Sequence, residues 1–188
     1  MTTSSSSSSS SSFFVSTLIL CLIVSFFITP STSNYLAKVC IKSKNPRFCL
    51  QVYGLNPHRR PYELTQEAIN LALTNASDTI KKIHTFIDQT EDYNLQVIYN
   101  YCLNYYQSII DTLRDAEEQF LKEGRYFDVN DAGNMAQLNA FRCENEFQRK
   151  WGYVYDSTLT KDNENLRIFG SIVVSAIDLL YNSTLVKK

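Results

Sequence analysis

Apolar residues recur every three or four positions in four separate runs from Leu64 onward, and that spacing marks amphipathic helices. Leu64, Ala68, Ala72, Ala76, Ile80, Ile83 and Ile87 predict a long helix over 62–90. Leu95, Ile98, Cys102, Tyr105, Ile109, Leu113, Ala116 and Phe120 predict a second. Gly124 ends it, because a glycine just past a helix readily takes the left-handed conformation that closes the last turn. Val129, Ala132, Ala136, Ala140, Cys143 and Phe147 form a third stripe. Leu166, Phe169, Ile172, Val173, Ala176, Ile177 and Leu180 form a fourth. Four such helices with short links predict an all-α, up-down-up-down four-helix bundle. Ahead of it, Asn56 to Arg60 reads as a linker, marked by Pro57 and Pro61. Asn45-Pro46 is a turn signal between two shorter helices, a small N-terminal hairpin.

The first stretch of the chain follows a different pattern. Residues 1–34 contain no Asp, Glu, Lys or Arg; a serine run, Ser4 to Ser12, precedes an apolar stretch from Phe13 to Ile28. Pro30 breaks that stretch, and Ser31 and Ser33 place small residues at the −3 and −1 positions of a cleavage site before Asn34. Residues 1–33 are therefore expected to be a secretory signal peptide, although no basic segment precedes the apolar one. A membrane anchor is the competing reading, but spanning takes about 20 apolar residues. Residues 34–188 are then one secreted domain, extracellular and free of the membrane.

Secretion permits disulfides, and four cysteines remain after the leader takes Cys21 with it. The stripes select a pairing. Cys102 and Cys143 both face inward on neighbouring antiparallel helices, with Gly124 near the midpoint between them. Cys40 and Cys49 flank the Asn45-Pro46 turn. Two disulfides, Cys40–Cys49 and Cys102–Cys143, are expected. Closing loops of about 10 and about 42 residues, they would contribute roughly 2.7 and 3.9 kcal/mol by the chain-entropy account.

The inventory offers little to a catalyst, and no catalytic residue is assigned. His58 and His84 are the two histidines, too few for a three-ligand zinc site without carboxylates, so no metal or cofactor is expected. His84, at the edge of a stripe, reads as a half-buried packing residue. No serine-nucleophile elbow, metalloprotease helix or phosphate loop occurs. Asp111 and Asp115 lie one turn apart, as an acid/base pair would require, but Arg114 and Glu118 beside them make a solvated face. A net charge of −1 leaves no overall basic balance for nucleic acid. Twelve tyrosines and eleven phenylalanines raise the alternative of a helical bundle that carries a small ligand. Asn75-Ala76-Ser77 and Asn182-Ser183-Thr184 match the N-glycosylation acceptor pattern.

Several segments resemble the plant invertase/pectin methylesterase inhibitor family in order along the chain. Cys40-Ile41-Lys42-Ser43-Lys44-Asn45-Pro46-Arg47-Phe48-Cys49 is similar to its opening hairpin, and Tyr101-Cys102-Leu103-Asn104-Tyr105-Tyr106 to its third-cysteine motif. Gly124-Arg125-Tyr126, Cys143-Glu144-Asn145-Glu146-Phe147 and Leu159-Thr160-Lys161-Asp162-Asn163 resemble its later turn, fourth-cysteine motif and last link. The resemblance implies a four-helix bundle with a helical hairpin, disulfides joining first to second and third to fourth cysteine, and a one-to-one, non-covalent complex with a cell-wall enzyme. Arg125-Tyr126-Phe127 stands where well-defined invertase inhibitors carry Pro-Lys-Phe, which favours pectin methylesterase over invertase as the target. Asn134-Met135-Ala136-Gln137-Leu138 is bulkier than the family's usual run of small residues. The expected contact surface joins Asp111, Arg114, Asp115 and Glu118 to the turn at Arg125, Tyr126 and Phe127.

Overall fold

Asparagine opens both short helices. In the computed structural model, which describes residues 34–54, 59–149 and 155–185, Asn34 Oδ1 accepts from the Ala37 amide at 3.0 Å and starts α1 (Tyr35–Lys42). Asn45 Oδ1 accepts from the Phe48 amide at 3.0 Å and starts α2 (Pro46–Tyr53). The expected turn signal is thus a helix cap followed by proline at the first helical position, where its missing N–H costs nothing. The Cys40–Cys49 disulfide joins the two helices. Leu36, Val39, Cys40, Cys49 and Tyr53 are buried, and burying each of the larger apolar side chains contributes about 1.5–3 kcal/mol.

Four long helices follow: α3 (Pro61–Gln89), α4 (Tyr93–Asp115), α5 (Tyr126–Arg149) and α6 (Thr160–Leu185). Each packs against its neighbour in sequence, and α3 closes the bundle against α6. The predicted pairing Cys102–Cys143 joins α4 to α5 across a Cα–Cα distance of 4.7 Å. Most stripe residues are buried, including Leu64, Ala72, Ile83, Ile109, Ala136, Phe147, Leu166 and Ile177. Ile80, Ile87, Leu95 and Tyr105 sit at the stripe edges and are half-buried. His84 is exposed rather than half-buried, because it projects away from the Ile83 side of α3. The linker, including His58, lies largely outside the described residues.

One stripe slips out of register. Phe120 was the expected inward residue after Ala116, but Leu121 is buried in its place and Phe120 is half-buried. The cause is a π-helical turn, Ala116–Phe120, in which the Leu121 amide donates to the Ala116 carbonyl at 3.0 Å. A five-residue hydrogen-bond step adds one residue to the turn, so the inward position moves from 120 to 121.

α5 and α6 cross closely at two glycines. A Cβ on Gly170 would stand 2.6 Å from the Gly133 carbonyl oxygen, and one on Gly133 would stand 3.0 Å from the Gly170 carbonyl oxygen. Close packing is therefore retained despite the bulkier 134–138 segment: Asn134 and Leu138 point outward, while Ala136 is fully buried. α6 is also the one helix among the described residues long and apolar enough to cross a membrane, but 56% of that window is buried. It serves as the central packing helix. The hairpin docks on it: the Lys44 amide donates to Ser171 Oγ at 2.9 Å, and Phe48 meets Phe169 edge-on at 5.4 Å.

A polar network locks the start of α6. The Glu144 carboxylate on α5 accepts from Ser157 Oγ at 3.0 Å, Thr160 Oγ1 at 2.7 Å and Asn163 Nδ2 at 2.7 Å. Asn163 Oδ1 in turn accepts from the Tyr106 hydroxyl at 2.8 Å. Burial pushes the Tyr106 phenol well above its ordinary value, so it stays a donor. This network runs from the buried Tyr106–Asn163 pair out to exposed Thr160, and, with each group partnered, it helps specify one arrangement of the elements it links, here α4, α5 and the start of α6.

Candidate functional site

The turn between α4 and α5 is built by the backbone. Gly124 has φ of 73°, the left-handed region that a side chain disfavours. The Arg125 amide donates to the Phe120 carbonyl at 2.8 Å, and the Gly124 amide to the Leu121 carbonyl at 3.3 Å, the double closure of a Schellman cap. That motif usually adds an apolar contact between the residue after the glycine and the one five before it. Here the contact is a cation over a ring: the Arg125 guanidinium lies 4.2 Å from the Phe120 centroid. Arg125 Nε also donates to Asp128 Oδ2 at 2.7 Å, and an amino nitrogen lies 3.8 Å from Glu123.

With Arg125 occupied in this way, the next two residues face a groove. It measures about 600 Å³ and is lined by Arg125, Tyr126, Phe127, Ile177, Asp178 and Tyr181, among others. The Tyr126 and Tyr181 rings meet edge-on at 6.2 Å. Phe127 is 76% exposed. Asn130 Nδ2 donates to Asp178 Oδ1 at 3.1 Å and Asn134 Nδ2 to Asn130 Oδ1 at 2.8 Å. These amides hold the wall of the groove between α5 and α6.

The predicted α4 face is brought only partly to this turn. Asp111, Arg114, Asp115 and Glu118 are all exposed, and Asp111 pairs with Arg114 at 3.6 Å. Asp115 lines a second groove of about 210 Å³ together with Phe120, Asp128, Asp131 and Met135. The two grooves adjoin through Arg125, which stacks on Phe120 and bonds Asp128. Asp111, one turn before Asp115, and Arg114, next to Asp115, line neither of these two grooves.

Sequence reasoning missed Tyr181 and Asp178, which reach the turn from the last helix. It also missed Leu138 and Phe141, exposed on α5 at helical spacing from Phe127. A signal existed: large apolar residues out of phase with the buried stripe. Asn182 is exposed near the end of α6. Asn75 is half-buried on α3, and its Oδ1 is enclosed with no hydrogen-bond partner. Among the described residues no cluster of three His, Cys, Asp or Glu side chains could hold a metal ion.

Comparison with known proteins places the chain in a lineage. The chain is 33% identical to a pectinesterase inhibitor of Actinidia deliciosa, over 68% of this chain and 74% of that one. It is 25% identical to pectinesterase inhibitor 1 of Arabidopsis thaliana, over 79% of this chain and 84% of that one. The fold matches the crystal structure of a mutant form of a pectin methylesterase inhibitor from Arabidopsis with a TM-score of 0.67 at 23% identity, covering 78% of this chain and 97% of that one. The sequence profile described as plant invertase/pectin methylesterase inhibitor matches residues 34–175, and the chain belongs to that family.

Proposed function

We propose that the chain is a secreted, extracellular inhibitor of pectin methylesterase that caps the enzyme's cleft in a one-to-one, non-covalent complex and performs no chemistry of its own. The observation that carries this reading is the 33% identity to a protein named pectinesterase inhibitor across two-thirds of the chain. Arg125-Tyr126-Phe127 in place of Pro-Lys-Phe supports the same target over invertase. The contact surface is the turn at Arg125, Tyr126 and Phe127 with the neighbouring α4 face of Asp111, Arg114, Asp115 and Glu118. A turn held by a glycine cap, the Arg125–Phe120 contact and the Arg125–Asp128 bond loses little conformational entropy on docking, and aromatic and arginine side chains are the types that most often dominate interfaces. Residues 1–33 act as the signal peptide, and Asn182, the exposed acceptor, carries a glycan.

Gel filtration of purified residues 34–188 mixed with pectin methylesterase, and separately with cell-wall invertase, tests the complex. Co-elution with pectin methylesterase at the mass of one copy of each is expected. Co-elution with invertase alone would reverse the target assignment, and hydrolysis of pectin esters by the isolated chain would overturn the non-catalytic reading.

A further inference from the structure

Charge is segregated along the chain in a way its total conceals. Residues 34–60 hold six basic residues and no acidic one, while residues 61–188 hold the other twelve basic residues against all nineteen acidic ones. The net charge of −1 is thus a near-cancellation of +6 on the hairpin and linker against −7 on the bundle. Arg59 and Arg60 are neutralised locally, by Glu67 at 3.1 Å and Glu63 at 2.7 Å. Lys38, Lys42, Lys44 and Arg47 are exposed, and none forms an ion pair among the described residues.

These four cations sit on a rigid frame. Lys38 and Lys42 lie one turn apart on the same face of α1. Lys44 and Arg47 follow at the turn and the start of α2. The Cys40–Cys49 disulfide and the Lys44 amide bond to Ser171 hold the turn against α6. From α6, Glu164 and Arg167 face it, and Glu164 is already paired with Arg167 at 2.9 Å. Burial, and then the Arg167 charge, hold the Lys44 ammonium below the ordinary lysine value, with Glu164 opposing. Fixed like charges without counter-charges repel one another, and a polyanion that neutralises them also releases its own counterions.

We propose that the hairpin binds an acidic polysaccharide, a polyuronate whose repeated carboxylates pair with Lys38, Lys42, Lys44 and Arg47. The polyanion class follows from the charge; the choice of polyuronate rests on the inhibitor reading, because an enzyme that removes esters from pectin leaves uronate carboxylates where this protein would act. The site is separate from the α4–α5 turn, so polymer and enzyme can be held together.

Isothermal titration of residues 34–188 with polygalacturonate, and with the same polymer fully methyl-esterified, tests the proposal. The acidic polymer is expected to bind and the esterified one to show no heat. Affinity should fall at least about tenfold between about 50 and about 200 mM salt. The exposed-site variant Lys38→Gln, Lys42→Gln, Lys44→Gln, Arg47→Gln should weaken binding at least about tenfold while keeping the helical circular dichroism of the parent. Equal binding by the variant, or equal binding of the esterified polymer, would overturn the site. Tighter binding to duplex DNA or to phosphatidylserine vesicles would overturn the polysaccharide assignment. Enzyme is absent from this titration, so a failure to inhibit pectin methylesterase would remove the inhibitor reading and leave the polymer result to be judged by itself.

Discussion

The Arg125 guanidinium rests 4.2 Å above the centre of the Phe120 ring, so the residue that follows the helix-ending glycine is pinned to the helix it has just left. The contact ties the exposed turn to the π-helical segment and aims Tyr126 and Phe127 at the groove. Replacing Arg125 and Tyr126 together by alanine is expected to weaken inhibition of the target at least about thirtyfold, since each contributes about 1 kcal/mol or more. Inhibition constants measured for both forms check this, with circular dichroism as the control for folding. An unchanged constant would take the turn out of the interface.

Gly170→Ala is expected to destabilise the bundle. The new methyl would meet the Gly133 carbonyl at 2.6 Å and the Gln137 side chain at 2.8 Å. Overpacking of this kind costs roughly 1–3 kcal/mol, against a gain in helix propensity of about 1 kcal/mol. The Gly133 obstacle is backbone and cannot swing aside, so the cost should win. Urea denaturation with an unchanged slope and a lower midpoint is the predicted result.

Tyr106→Phe removes the donor to Asn163, a residue only 1% exposed whose Oδ1 receives that bond at 2.8 Å. Leaving a buried acceptor unpaired costs about 1–3 kcal/mol. Chemical denaturation of the two forms at the same pH measures it.

Glu63 gives a pH-dependent prediction. Its carboxylate accepts from the Arg60 amide at 3.0 Å and from the Arg60 guanidinium at 2.7 Å, and chiefly the backbone bond holds its pKa below the ordinary glutamate value. A lowered folded-state pKa means a contribution fully present above the unfolded value and lost as pH falls through the folded one. Glu63→Gln should therefore lower the melting temperature at neutral pH, and the two forms should converge in acid. A constant difference across that range would show that the carboxylate charge is not what caps α3.

Much of this architecture was legible in the residue pattern, because each long helix buries one continuous stripe. The inward stripes of α4 and α5 brought Cys102 to Cys143, and Gly124 stopped α4 where its left-handed backbone was needed. Phe120 misled for a local reason: an extra residue in a hydrogen-bond turn leaves no mark in composition, and only the burial of Leu121 reveals it. The groove was hidden for a tertiary reason. Tyr181 stands 55 positions after Tyr126 in the chain and meets it only once α6 has packed along α5. The basic hairpin was readable throughout but cancelled in the sum over the whole chain.

The most direct test of the central claim is a titration of pectin methylesterase activity, and in parallel of cell-wall invertase activity, with purified residues 34–188 in oxidised form. The account predicts that pectin ester hydrolysis falls to completion at one equivalent of the chain while sucrose hydrolysis is unaffected. Full pectin methylesterase activity in the presence of excess chain would contradict it.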